Sequence, residues 1–140
     1  MVKAAIIGCG KIAQVRHIPE YLEHQAVNLV GFYDLNEKRA EELAEKYGGK
    51  AYGSVEELLA DPQIDAVSIC TANHTHAELT IKALKAGKHV LCEKPLAFTK
   101  DESIELYDLA KKQGVVLMEA IKAAYCPGFQ QLLNVVQSGK

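Results

Sequence analysis

The sequence predicts an α/β domain, a doubly wound and mostly parallel sheet flanked by helices. Three features of its 140 residues carry that prediction. Short apolar runs alternate with longer amphipathic ones, a glycine-rich turn follows the first run, and an acidic residue closes the second.

The apolar runs are Val2–Ile7, Val27–Tyr33, residues 66–70, His89–Cys92 and residues 115–118. Runs without strict alternation suit strands covered on both faces, as in a parallel sheet. Helical patterns lie between them. For the helix over residues 36–47, Leu35, Ala40, Leu43, Ala44 and Tyr47 recur at helical spacing among charges, and Gly48-Gly49 ends the segment. Ser54 with Glu57, and Thr99 with Glu102, have the spacing of a capping box. Residues 75–86 end at Gly87, and the helix that begins at Thr99 runs to Gln113 before Gly114. Such strand–helix alternation predicts right-handed crossovers. After Pro127, Phe129, Leu132, Leu133 and Val136 form one more helical pattern with little left to pack on. The expected division is a nucleotide-binding domain over residues 1–119, with residues 120–140 leading into a second, α+β domain that is largely missing.

Gly8-Cys9-Gly10-Lys11-Ile12-Ala13 fits the pattern GxGxx[G/A] between a strand and a helix. Gly8 suits the tight turn, Gly10 admits a pyrophosphate close to the backbone, and Ala13 allows close helix–strand packing. Lys11 and Ile12 open the helix, whose first N–H groups favour phosphate. Such a loop alone is weak, since it also serves as a simple turn. Asp34 strengthens it: about 20 residues on, at the end of the second strand, its carboxylate can accept from a ribose diol. The bland alternative is a cap on the next helix. Together these residues predict the dinucleotide-binding Rossmann arrangement. Asp34 favours NAD over NADP. Lys38 and Arg39 could soften that preference, but a solvated helix face is the expectation for both.

Ligands of open α/β sheets gather at the carboxyl ends of strands. Thr71 and Asn73 follow the strand at 66–70 and border the expected nicotinamide side; Asn73 serves equally as a helix N-cap. His74 and His76 lack a third ligand at metal-binding spacing, so no metal is expected. Glu93-Lys94-Pro95 ends the strand at 89–92. Lys94 there can hydrogen-bond a substrate hydroxyl and stabilise charge on oxygen as hydride leaves. Taken alone, a surface lysine paired with Glu93 is the commoner arrangement. Pro95 fixes the turn; its bond could be cis, although base rates argue against assuming so.

Lys+Arg 16 against Asp+Glu 18 gives a net charge of −2 and no electrostatic case for nucleic acid or a membrane surface. The first strand begins almost at Met1, with no secretory signal pattern, and no apolar run reaches a membrane span. Cys9, Cys70, Cys92 and Cys126 show no metal-ligand spacing. Scattered thiols fit a reducing compartment, so a cytoplasmic location is expected. Cys9, Cys70 and Cys92 fall near strand ends and read as small residues filling tight space, with a redox-sensing thiol as the alternative.

On residues 8–13, Asp34, Thr-Ala-Asn-His-Thr-His at 71–76 and Ala-Gly-Lys-His-Val-Leu-Cys-Glu-Lys-Pro-Leu at 86–96, the chain resembles the Gfo/Idh/MocA family of NAD(P)-dependent oxidoreductases. The resemblance implies hydride transfer between nicotinamide and sugars, inositols or related polyols and their ketones. Lys94 matches the motif lysine that meets substrate and nicotinamide, and Glu93 and His76 match positions lining the cofactor site. A second domain would supply substrate contacts, a further acid/base residue and usually the interface of a homo-oligomer. Many members carry arginine where Ala124 stands, and Lys122 is a candidate for a compensating charge. Two other functions fit the glycine loop and Asp34: a non-catalytic dinucleotide sensor, which has no need of Lys94, and an S-adenosylmethionine methyltransferase, which Ala13 and Lys94 fit less well.

Overall fold

The computed structural model describes residues 1–139. Six parallel strands form one sheet in the order β3-β2-β1-β4-β5-β6. They are β1 (Val2–Ile7), β2 (Val27–Tyr33), β3 (Lys50–Ala51), β4 (Ala66–Ile69), β5 (His89–Cys92) and β6 (Leu117–Glu119). The chain winds outward from β1 through β2 to β3, then returns to β4 and winds the other way. The crevice at this reversal opens beyond the carboxyl ends of β1 and β4, where ligands of such sheets bind.

Side-chain alternation along β1 builds two cores at once. Ala5 and Ile7 pack with Val67, Ile69, Leu84 and Leu106 on one face. Ile6 packs with Ala13, Ile18, Phe32 and Leu43 on the other. The first face is covered by α3 (Val55–Ala60), α4 (His76–Lys85) and α5 (Lys100–Gln113), and the second by α1 (Ile18–Glu23) and α2 (Glu37–Tyr47). Between β1 and β2 the register slips by one residue. Ala4 pairs with Leu29 but Ala5 pairs with Gly31, so Val30 forms a bulge.

Helix ends follow the local chemistry. Thr99 and Glu102 form the full reciprocal capping box. Ser54 accepts from the Glu57 N–H, but Glu57 turns back to the Gly53 N–H rather than to that of Ser54, so only half of that box forms. Leu35, expected on the apolar face of α2, is 92% exposed, because it lies in the turn before the helix begins. Two strand expectations are also corrected. The last strand starts at Leu117, not residue 115, because Val115 is used by the turn after α5, where its N–H bonds Ala110. The two-residue β3 was not expected, since no apolar run announces it; its backbone pairs with Gly31 and Phe32. Among the described residues no helix is long and apolar enough to cross a membrane. The last helix, α6 (Pro127–Gln137), buries none of its residues and leaves Leu132, Val135 and Val136 at least half exposed.

Candidate active site

One wall of the crevice is made by the glycine loop. Gly8 has φ +94°, a left-handed backbone open to glycine. A Cβ on Gly8 would lie 2.8 Å from the Cys70 carbonyl, so the missing side chain lets the loops after β1 and β4 close on each other. Gly10 faces open space, with no described heavy atom within 4 Å of where its Cβ would stand. Ala13 is fully buried against Ile6, Cys9 and Phe32. Lys11 and Ile12 begin the helical segment at the open side, where the first N–H groups have no carbonyl one turn earlier. An open approach at Gly10 beside these N–H groups fits a dinucleotide pyrophosphate. When bound, such a cofactor supplies the hydride donor or acceptor.

Asp34 is buried and binds this wall together. Its Oδ2 accepts from the Cys9 N–H at 2.7 Å, and its Oδ1 accepts from the Asn36 N–H at 2.8 Å. The second bond is an Asx-turn into α2 rather than a cap on that helix's first turn. Arg39 corrects the expectation of a solvated face: its Nη1 stands 3.3 Å from Asp34 Oδ2, while its side chain remains 43% exposed. Lys38 pairs only outward, at 4.0 Å from Glu42. Asp34 therefore meets the crevice with a guanidinium already at its side.

The loop after β4 gives a mixed result. Thr71 abuts Gly8 and shares a 2.7 Å hydrogen bond between hydroxyls with Thr75. Asn73 is exposed and makes no capping bond. Ala72 occupies the cap of the short turn Asn73–Thr75, and Thr75 precedes α4, so the capping expectation for Asn73 is corrected. His76 is 1% exposed. Its Nδ1 is 2.8 Å from the Pro95 carbonyl and its Nε2 is 3.1 Å from the Thr71 carbonyl. The ring thus ties the two loops together from behind the crevice, and both nitrogens are engaged there. His74 is exposed on the same turn.

The other wall follows β5. The Lys94–Pro95 bond is cis, the less common of the two forms left open by the sequence. Lys94 is exposed into a cleft of about 430 Å³ that it shares with Ile12, Tyr21, Met118, Lys122 and Tyr125. Ile12 brings the helix after the glycine loop to the rim of this same cleft. Glu93 does not give its carboxylate to the Lys94 amine as a simple surface pair would. It faces His17, with Nε2 to Oε1 at 2.9 Å. Sequence reasoning missed His17. The one signal in the chain was Pro19, which cannot donate to a carbonyl one turn earlier and stands just beyond a π-turn at Ala13–His17. Lys122 lines the cleft, as a compensating charge requires, and belongs to the turn Lys122–Tyr125 before α6.

The thiols near the crevice are buried, and burial sets their chemistry. Desolvation, aided by the Asp34 charge, pushes the Cys9 thiol up to about 12. Desolvation does the same for Cys92, also to about 12, and it raises Cys70 as well. These groups stay neutral at physiological pH and act as packing atoms, which leaves the redox alternative without a thiolate. Cys126 is exposed and caps α6. Among the described residues no group of three or more His, Cys, Asp or Glu side chains could hold a metal ion.

Comparison with known proteins agrees with this geometry. The chain is 37% identical to D-glucoside 3-dehydrogenase of Escherichia coli K12, over 99% of its own length and 40% of the relative's. It is 34% identical to myo-inositol 2-dehydrogenase of Thermotoga maritima, over 99% and 41%. The solved structure of KijD10, a 3-ketoreductase from Actinomadura kijaniata in complex with NADP and TDP-benzene, superposes with a TM-score of 0.92 at 30% identity, over 99% of this chain and 42% of that one. The chain thus spans about two fifths of the length of these relatives. Residues 2–121 match the oxidoreductase family with an NAD-binding Rossmann fold known as GFO_IDH_MocA. With that match running through the reversed sheet, the glycine loop clamped by Asp34 and the Glu-Lys-Pro turn at the end of β5, this chain belongs to the Gfo/Idh/MocA oxidoreductases.

Proposed function

We propose that this chain is the cofactor-binding half of a dehydrogenase or reductase that moves hydride between NAD(P) and a carbon of a sugar, inositol or related polyol or ketone. The observation that carries the reading is the position of Lys94. It stands on the far wall of the crevice from the glycine loop, open to a cleft of about 430 Å³ whose rim includes Ile12 from the loop side. In this reading Gly8, Gly10, Lys11, Ile12, Ala13 and Asp34 hold the dinucleotide. Thr71, Asn73 and Glu93 border its nicotinamide end, and His76 shapes that end from behind. Lys94 Nζ hydrogen-bonds the substrate oxygen and moves a proton at that atom as the carbon gains or loses hydride. Lys122 adds a positive charge for substrate recognition. Residues 1–119 form the cofactor domain and residues 120–140 lead to a substrate domain, whose packing would cover the apolar face of α6. The intact protein acts in the cytoplasm as a homo-oligomer, on small molecules rather than nucleic acid or membranes.

Titration with NADH and NADPH, followed by nicotinamide fluorescence, tests the reading. Wild type should bind NADH, and Asp34→Ala should weaken that binding. Arg39→Ala should weaken NADPH selectively, because the guanidinium next to Asp34 is the group placed to meet a 2′-phosphate. A folded chain that bound neither nucleotide would overturn the cofactor assignment. An intact enzyme that bound NADH but turned over no polyol or ketone would instead favour a sensor.

A further inference from the structure

A histidine and a carboxylate are buried against each other beside the lysine that the dehydrogenase reading needs. His17 is 7% exposed and the Glu93 side chain 16%. The π-turn at Ala13–His17 re-aims the residues beyond it, so His17 turns inward while Val15 and Arg16 stay in solvent. Arg16 pairs with Glu20 at 2.8 Å, and both line the same cleft as Glu93. The Tyr21 and His17 rings meet in a T-shaped pair with centroids 6.3 Å apart, and the Tyr21 hydroxyl is 2.5 Å from that of Ser68 on β4. A carboxylate only accepts, so the imidazole Nε2–H donates to Glu93 Oε1 at 2.9 Å. The other oxygen, Oε2, accepts from the Lys94 backbone N–H at 3.3 Å. Both oxygens of Glu93 are thereby held away from the Lys94 side chain.

A part-buried carboxylate without a partner is costly, and it turns to the nearest cation. Three cations line the cleft with Glu93: Arg16, which is already paired with Glu20, Lys122, and Lys94, which is its neighbour in the chain. We propose that His17 is a positioning residue that keeps Glu93 from capturing Lys94 in an ion pair, leaving the lysine amine free for the substrate oxygen. The proposal rests on the dehydrogenase reading for its catalytic consequence, but not for the contact itself.

The test uses the intact enzyme with His17→Ala, His17→Gln, Glu93→Gln and the double variant His17→Ala/Glu93→Gln. His17→Ala should lower kcat by up to about a hundredfold, the scale of loss for a displaced catalytic group, with KM for the nucleotide little changed. His17→Gln retains an N–H donor and should recover most of kcat. In the double variant the competing carboxylate is gone, so kcat should rise above that of His17→Ala alone. A structural role for His17 would give no such recovery, and losses that add in the double variant would overturn the proposal. A second readout needs no turnover. The rate at which formaldehyde and borohydride methylate Lys94, followed by peptide mass, should fall in His17→Ala and return in the double variant. An unchanged labelling rate would overturn the proposal even in an active enzyme. If the wild type turned over no polyol or ketone, the dehydrogenase reading would fall while the labelling rate still decided the His17 contact. If His17→Ala did not fold, His17→Gln against a folded His17→Leu would carry the same comparison.

Discussion

The two walls of the crevice use different materials. Beyond β1, backbone carries the site: a left-handed Gly8, an open Gly10, free N–H groups at a helix start, and a buried Asp34 that grips the Cys9 amide. Beyond β5, side chains carry it: Lys94 and Lys122 reach into a cleft bordered by Met118 and Tyr125, and Glu93 is held by His17. A backbone wall suits a ligand that does not change, because main-chain N–H groups cannot be exchanged by substitution. A side-chain wall suits chemistry and selectivity, which vary by residue. Substitutions should therefore act on different quantities at the two walls.

The largest separation is expected from Lys94→Ala in the intact enzyme. It should lower kcat/KM by about 10²–10⁴, the usual contribution of a general acid or base, while NADH affinity measured by fluorescence stays within a few-fold. Equal losses in binding and turnover would erase the distinction between the walls. Gly8→Ala should do the reverse. The left-handed backbone alone costs about 1–3 kcal/mol for a residue with a Cβ, and that Cβ meets the Cys70 carbonyl at 2.8 Å. Denaturant melts should show the loss of stability, and NADH titration of whatever remains folded should show weakened binding. A variant as stable as wild type would mean that the two loops are not closed on each other.

The smallest effect sharpens the comparison through pH. Cys9 and Cys92 are held neutral by burial, with folded values near 12 against 9.0 for a free thiol. A group whose folded value is raised adds stability that is complete below the unfolded value and fades as pH climbs to the folded one. The melting temperature should thus begin to fall above about pH 9 and keep falling toward 12. At pH 8 a thiol reagent should modify exposed Cys126 at once and reach the other three only on unfolding. Prompt labelling of Cys9 in the folded chain would show that the glycine-loop wall opens readily.

The sheet and most of its helices were legible because apolar runs and capping residues are local signals. The run Val2–Ile7 became β1 with the same ends, and Thr99 with Glu102 formed the box that their spacing announces. Strand β3 was not legible, because two residues paired through backbone carry no pattern. The roles at the site divide in the same way. Gly8, Gly10 and Asp34 are read from spacing, since the Asp34 bond to the Cys9 amide lies within one β–α–β unit, whereas the close approach of Gly8 to Cys70 is not local. His17 with Glu93, 76 residues apart, and His76 with Pro95 are meetings of distant segments that no local spacing records. Arg39 looked like solvated helix surface because periodicity assigns a face and not a partner. Its link to Asp34 depends on the turn at Asn36.

The bulge at Val30 has a consequence for insertions and deletions. Because β2 gains one residue on β1 at that point, Tyr33 stands level with Ile7 and the chain reaches Asp34 beside the glycine turn. The slip divides β2 into two parts with independent phase. Losing or gaining a residue before Val30 shifts only Val27–Leu29 against Val2–Ala4, and the slip can absorb it. The same change between Gly31 and Tyr33 moves Asp34 by one step and turns its carboxylate to the opposite face of the sheet. Length variation among related chains should therefore collect upstream of the bulge, while the short count from Gly31 to Asp34 stays fixed.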